Sequence, residues 1–231
     1  MIQTNETATN LEEELATLKR RRLELKRQKE KHILQNRLSF FSPNPGGQAK
    51  FFENSHKRRR VVMSGNRFGK STAGVVEDCC WLIGYRPFFP EDHKLRTLGI
   101  PENGVKIIVI AQDWDKVEEV FTHEASSPYD ERIGKFFWFL PPGMITGTTR
   151  NQKGIITTIE ITSMINNRPR VSSLHFDTVR SYMQNPLGHE SSDWDAIHLD
   201  EPCPEGMWQA HARGMIDRGG KTWWLATPRS E

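Results

Sequence analysis

Residues 64–71 carry the most informative chemistry in the chain. This glycine-containing stretch follows the apolar run Val61–Met63 and reads Ser64-Gly65-Asn66-Arg67-Phe68-Gly69-Lys70-Ser71. Between a strand and a helix start, such a loop aims backbone N–H groups and the positive helix end at phosphates. Lys70 would contact the terminal phosphates, and the Ser71 hydroxyl would ligate Mg²⁺. We predict a nucleotide site formed by residues 64–72, including Thr72, although Ser64 replaces the first glycine of the strict pattern.

Two adjacent acids follow a second apolar run. Ala196–Leu199 leads into Asp200 and Glu201, and Pro202 then stops the strand. The carboxyl ends of parallel strands and the phosphate loop share one edge of an α/β sheet. We therefore expect Asp200 to hold Mg²⁺ and Glu201 to orient and polarise an attacking water. The alternative is an exposed Asp-Glu pair at a turn, which is less favoured beside a phosphate loop.

A third apolar run ends in a hydroxyl residue. Thr222–Ala226 is followed by Thr227 and Pro228, one helix length after the acidic pair. Thr227 is thus placed to sense the γ-phosphate. A plain core strand with a turn is the alternative.

In this order, the three segments resemble the ATPase domain of the large terminase subunit of tailed bacteriophages, over roughly Gln48 to Pro228. In that family the loop carries an arginine, matched by Arg67, which would sense the γ-phosphate. The strand that ends in Asp-Glu matches Asp200 and Glu201, and the coupling motif, a strand ending in Thr-Pro, matches Thr227. The glutamine that reads adenine is matched loosely by Gln48, which is followed by two phenylalanines.

The resemblance implies a fold and a function. The fold is α/β, a P-loop NTPase of the additional-strand (ASCE) type, with a mainly parallel central sheet flanked by helices. Its coupling strand lies between the phosphate-loop strand and the acidic strand. The implied function is ATP hydrolysis with Mg²⁺, coupled to translocation of double-stranded DNA into a procapsid. Glu201, Lys70, Arg67 and Thr227 would be the catalytic residues.

The resemblance also implies partners and a location. These are the portal protein, the small terminase subunit and a homo-oligomeric ring on the procapsid in the host cell cytoplasm, with no membrane. A neighbouring subunit would supply an arginine to the site. Large terminases continue into a nuclease domain, whereas this chain stops at Glu231. We therefore expect an isolated motor domain that does not cut DNA.

Two other functions remain open at this point. One is a superfamily 2 helicase-like ATPase fragment, since helicases pair the same motifs but need a second motor domain. The other is a nucleotide-gated DNA-binding or assembly module. Turnover of ATP separates an enzyme from a module, and strand unwinding separates a helicase from a packaging motor.

Charge and length indicate one globular unit with an extension. The chain has 231 residues and a net charge of +3, which alone does not diagnose a nucleic-acid binder. Residues 19–31 hold eight cations and two acids, typical of a basic amphipathic helix. Packing of this helix on the domain or on a neighbour is favoured over contact with DNA. We place an N-terminal extension at 1–42 and the ATPase domain at 43–231, because two prolines and two glycines in 42–47 end any helix. A second basic run, Lys57–Arg60, is expected to be solvated or to contact DNA phosphates or a subunit.

The remaining pattern alternates strands and helices. Helices are predicted at 71–84 and 115–121, a buried strand at 105–111, and a hairpin at 155–162 and 171–176. Residues 85–104 indicate an insertion loop. The three cysteines form no metal-ligand spacing with the histidines. No apolar stretch is long enough to span a bilayer.

Overall fold

The computed structural model describes residues 3–65, 68–125, 132–186 and 192–228, with side chains from Glu14 onward in the first helix and excluding that of Pro142. The chain divides into two compact units, Met1–Asn36 and Arg37–Glu231. The first unit is a single helix, α1, Gln3–Gln35, with several exposed leucines. Among the described residues, no helix combines the length and the apolar character needed to cross a bilayer.

The second unit begins at Arg37, six residues earlier than the extension boundary predicted from the sequence. A 3₁₀ turn spans Arg37–Phe40, and its Leu38 is buried in the core. The ring of Phe41 lies 5.2 Å from the ring of Phe88 and 5.8 Å from that of Phe52, centroid to centroid. These apolar side chains attach residues 37–42 to the globular unit, because leaving them in water would cost burial free energy.

Within its described residues, the second unit has six α-helices and seven strands. The helices are α2 Gly47–Glu53, α3 Lys70–Ile83, α4 Trp114–Lys116, α5 Lys135–Phe139, α6 Val179–Gln184 and α7 Glu205–Arg213. The strands are β1 Arg59–Met63, β2 Lys106–Ala111, β3 Ile145–Arg150, β4 Ile156–Ile165, β5 Arg168–Thr178, β6 Ala196–Asp200 and β7 Lys221–Ala226. The helix predicted at 115–121 consists of α4 and a π-helical turn, Val117–Thr122, that follows it directly.

All seven strands form one sheet in the order β1-β7-β6-β2-β5-β4-β3. The first five pair in parallel, and β4 and β3 are antiparallel additions. The predicted hairpin is confirmed as β4 and β5, joined through Asn166 and Asn167 at φ 50° and 60°, a left-handed turn that suits asparagine. The expectation of an α/β fold with a mainly parallel sheet flanked by helices is thus confirmed. The strand β7, which precedes Thr227, lies between β1 and β6.

Helices cover both faces of the sheet. The larger core lies on the face of α2, α3 and α5, and a smaller core lies between the sheet and α6 and α7. Side chains alternate between the faces along each strand. In β6, Ile197 and Leu199 enter the smaller core, whereas Ala196 enters the larger one.

The basic run before the first strand differs from the expectation at one residue. Lys57, Arg58 and Arg59 are exposed, but Arg60 is only 4% exposed. Its guanidinium donates to Glu77 Oε1 at 2.7 Å and to the Phe51 carbonyl at 3.2 Å. Arg60 lies within β1, and its side chain points to the core face of the sheet. It therefore forms contacts in the protein interior.

Candidate nucleotide-binding site

The loop predicted to bind phosphate, residues 64–69, connects β1 to α3 at the carboxyl edge of the parallel strands; the name phosphate loop is kept for it below. Ser64 N–H donates to the Ala226 carbonyl at 3.3 Å, which attaches the loop start to the end of β7. Gly69 occupies the N-cap position of α3 with φ 82°, a conformation that favours glycine. Having no side chain, Gly69 caps none of the first N–H groups of the helix, so these remain suited to an anion. Asn66 and Arg67, both predicted to bind nucleotide, lie outside the described residues.

The ammonium of Lys70 lies against the first turn of the loop. Its Nζ donates to the Ser64 carbonyl at 2.7 Å and to the Gly65 carbonyl at 3.0 Å. Lys70 and Thr72 are the first and third residues of α3, and both are half-buried. The Lys70 ammonium is therefore held by the carbonyl groups at the start of the loop.

Ser71 joins the loop to the acidic strand. Its hydroxyl donates to Asp200 Oδ1 at 2.8 Å, across a sequence separation of 129 residues. The two motifs predicted from separate parts of the sequence are therefore in direct contact. A hydroxyl and a carboxylate oxygen side by side are the hard oxygen ligands that Mg²⁺ takes beside phosphates and water. Across the described ranges, no group of three or more His, Cys, Asp or Glu side chains is arranged to hold a metal ion.

Glu201 and Thr227 are also in contact at this edge. The Thr227 hydroxyl donates to Glu201 Oε1 at 2.9 Å, and its N–H donates to Oε2 at 3.2 Å. Glu201 N–H in turn donates to the Leu225 carbonyl at 3.1 Å. Glu201 has φ 92°, a conformation that costs a non-glycine residue about 1–3 kcal/mol. The carboxylate is thus bound to the end of β7, on a strained backbone next to the Ser71–Asp200 pair.

A buried polar network beneath the site holds α3 against β6 and β7. His198 Nδ1 lies 2.5 Å from Asp78 Oδ2, and Trp223 Nε1 donates to Asp78 Oδ1 at 3.0 Å. Burial acts to lower the pKa of His198, but the charge and hydrogen bond of Asp78 raise it overall. Because His198 precedes Asp200 by two residues in β6, this network sets the distance between the helix and the acidic strand. A close approach is possible because helix residue Gly74 has no side chain. A Cβ there would lie 2.3 Å from Leu225 Cδ1 and 2.6 Å from the His198 ring.

A second buried network lies farther along α3. Glu77 accepts from Arg60 at 2.7 Å, from Arg86 at 2.6 Å and 2.8 Å, and from Trp81 at 3.1 Å. Burial acts to raise the pKa of Glu77, but the two guanidiniums lower it to about 2. The acid is therefore ionised and fully paired in the interior, as a buried charge must be.

Sequence reasoning missed both networks. Two signals were present: the adjacent acids Glu77 and Asp78 lie within an otherwise apolar helix, and His198 interrupts the apolar run before Asp200. Charged residues in a buried segment indicate buried partners. Their partners lie up to 145 residues away along the chain, so the pattern does not identify them.

Gln48 lies beneath the phosphate loop. Its side chain is 3% exposed and contacts backbone atoms of residues 44, 68 and 69. Gln48 thus lies beside the loop at Phe68 and Gly69. That it belongs to a nucleotide site stays a prediction, and its chemical role is considered below.

Comparison of the chain with protein-family models, with curated proteins and with solved structures finds no match in any of the three.

Proposed function

We propose that this chain is the ATP-hydrolysing motor domain of a viral DNA-packaging terminase large subunit, built as a P-loop NTPase of the additional-strand type. The contact between Ser71 and Asp200 carries the proposal, because it brings the phosphate loop and the acidic strand to one point. The position of β7 between β1 and β6 supports the additional-strand assignment.

Binding of ATP would use the loop and the start of α3. The backbone N–H groups of residues 69–72 and the helix dipole favour the phosphate charge. Lys70 would exchange its two carbonyl partners for phosphate oxygens, and Arg67 would contact the γ-phosphate. Ser71 and Asp200 would hold Mg²⁺, which neutralises charge on the phosphates.

Hydrolysis would use Glu201 and the end of β7. The Glu201 carboxylate would accept a hydrogen bond from water and orient its oxygen toward the γ-phosphorus. In the in-line displacement the water oxygen would bond to that phosphorus, and the bond to the β–γ bridging oxygen would break to release ADP and phosphate. The proton lost by the water would pass to an oxygen of the released phosphate. Since Thr227 contacts Glu201 directly, a change at the carboxylate would be transmitted to β7. Thr227 would thus couple the release of phosphate to a change in DNA binding.

The decisive experiment is phosphate release by the purified chain with ATP and Mg²⁺. We expect slow turnover by the wild type and a loss of about 10²–10⁴-fold in Glu201→Gln, with ATP still bound. Lys70→Ala should lose tight ATP binding as well. The matched control is Lys50→Ala, since Lys50 is an exposed lysine of α2. Absence of ATP binding by the wild type, or equal turnover in Glu201→Gln, would remove the motor interpretation.

The assembly partners follow from the resemblance and extend the proposal. They are double-stranded DNA, the portal protein, the small terminase subunit and further copies of this chain in a ring, in the cytoplasm of the infected cell. An arginine from a neighbouring copy would complete the site. Turnover per chain should then rise with protein concentration once assembly is demonstrated, and a flat response would count against the shared site. DNA-stimulated turnover without strand unwinding would separate this motor from a helicase.

A further inference from the structure

The side-chain amide of Gln48 is engaged at both ends by backbone groups. Its Oε1 accepts from Asn44 N–H at 2.8 Å, and its Nε2 donates to the Gly69 carbonyl at 2.9 Å. A longer contact of 3.5 Å joins Nε2 to the Phe68 carbonyl. The amide therefore bridges the segment before α2 to the last turn of the phosphate loop.

The contact with Gly69 sets the direction of an N–H group at the helix start. The Gly69 carbonyl accepts from Gln48 Nε2 at 2.9 Å and from Ala73 N–H at 3.0 Å. In a trans peptide, the C=O of one residue and the N–H of the next point in opposite directions. Two donors on the Gly69 oxygen thus hold the Lys70 N–H pointing away from Gln48, toward the anion-binding end of α3.

Packing supports the same relation. A Cβ at Gly47 would lie 2.6 Å from the Phe68 ring, and a Cβ at Gly69 would lie 2.5 Å from Gln48 Nε2. Gly47 therefore lies against the Phe68 ring, and the Gln48 amide lies against the backbone at Gly69, with no space for a Cβ at either glycine. The start of α2 therefore packs against the phosphate loop at Phe68 and Gly69.

The same geometry is unfavourable for reading a base. A residue that recognises adenine must present a free donor and a free acceptor to the base edge, whereas Gln48 is 3% exposed and uses both its oxygen and its nitrogen within the protein. We infer that Gln48 is a positioning residue that orients the phosphate loop. Gln48 therefore contributes to binding of the polyphosphate and does not discriminate between bases. This inference rests on the proposed function and replaces the adenine-reading role that the resemblance implied for Gln48.

The test compares dissociation constants of wild type and Gln48→Ala for four probes: ATP, GTP, CTP and inorganic triphosphate, each with Mg²⁺. Gln48→Ala removes the hydrogen bonds of the amide with Asn44 N–H and with the Gly69 carbonyl. Loss of the Gly69 contact, which orients the loop, predicts a common rise of roughly tenfold for all four probes. The ratio between ATP and GTP should stay within about twofold of the wild-type ratio, since no base contact is removed. A rise confined to ATP, or no rise for any probe, would overturn the inference.

A second variant separates positioning from folding. Gln48→Glu keeps the acceptor for Asn44 N–H but faces the Gly69 carbonyl with a second acceptor, so it should weaken all four probes at least as much as Gln48→Ala. The charge-matched control is Gln209→Glu on the exposed face of α7, which should leave the constants unchanged. The dissociation constants are measured at temperatures below the unfolding transition of each variant. If Gln48 only stabilised the fold, the folded variants would bind the probes with wild-type dissociation constants. If the wild type binds none of the probes, the proposed function fails before Gln48 is tested.

Discussion

The strained backbone at Glu201 predicts an inverted order of stability between two variants. Glu201 has φ 92° without being glycine. We expect Glu201→Gly to be more stable than Glu201→Ala, although alanine stabilises most positions relative to glycine. Both variants lose the carboxylate and its two hydrogen bonds from Thr227, so those losses cancel in the comparison.

The magnitude follows from two opposing contributions. A Cβ at positive φ crowds the following carbonyl and costs about 1–2 kcal/mol, which glycine avoids. Glycine also gives the unfolded chain more freedom, which lowers stability by about 0.5–1 kcal/mol. The glycine variant should therefore be the more stable by up to about 1.5 kcal/mol. In the helix α7, Ala210→Gly should show the ordinary sign, a loss of about 1 kcal/mol.

The measurement is urea unfolding followed by tryptophan fluorescence. All seven tryptophans lie beyond residue 37, so the signal reports the second unit alone. Neither Glu201 variant should release phosphate from ATP, whatever its stability. A stability of Glu201→Ala greater than that of Glu201→Gly would refute the strain argument. Restored turnover in either variant would refute the assignment of the carboxylate to the reaction.

Three further predictions concern the interior. Arg86→Met leaves Glu77 without one of its two guanidinium partners and should lower the free energy of unfolding by about 3–5 kcal/mol. Because the pKa of Glu77 is lowered from 4.5 to about 2, the ionised carboxylate stabilises the folded protein fully above pH 4.5, and this stabilisation is lost as the pH falls toward 2. The urea midpoint should therefore fall between pH 4.5 and 2, less steeply in Arg86→Met than in the wild type. Burial of the ring and, to a smaller extent, the charge of Lys106 lower the pKa of His175 from 6.5 to about 4. The stabilisation from keeping this imidazole neutral is therefore lost as the pH falls from 6.5 to 4. The ring resonances of His175, identified by their loss in His175→Gln, should titrate near pH 4 by NMR, and a midpoint of 6.5 or higher would contradict this. Gly74→Ala should destabilise the protein by roughly 1–3 kcal/mol, because the new Cβ would clash with Leu225 and the His198 ring. Replacing an ordinary helical glycine with alanine would stabilise it; urea unfolding measures the difference.

Much of the framework can be predicted from local patterns. The helix after Gly69 and the strand before Asp200 are both signalled within about ten residues of chain, by a glycine before a helix start and by a short apolar run. Each lies within two residues of its predicted position. Such signals persist in the fold because they arise from backbone conformation and burial of the segment itself.

Other features depend on contacts between distant segments. The exposed appearance of Arg60 within a basic run gives no sign that it pairs with Glu77 in the core. Leu38 and Phe41 lie before a proline-rich stretch, yet they belong to the globular unit because other rings surround them. Gln48 is buried beside the loop, and its amide donates to the Gly69 carbonyl. The spacing of these two residues along the chain does not predict this contact.

The chain's own order of residues was sufficient to indicate a phosphate loop, an acidic strand and a third strand ending at Thr227, since each is a local arrangement of a few residues. Folding in three dimensions settled which groups touch: Ser71 with Asp200, Glu201 with Thr227, and Gln48 with Gly69. The physical reason is that hydrogen bonds and ion pairs act over a few ångströms. Partners separated by twenty or more residues can meet only after the sheet has brought their segments to the same edge.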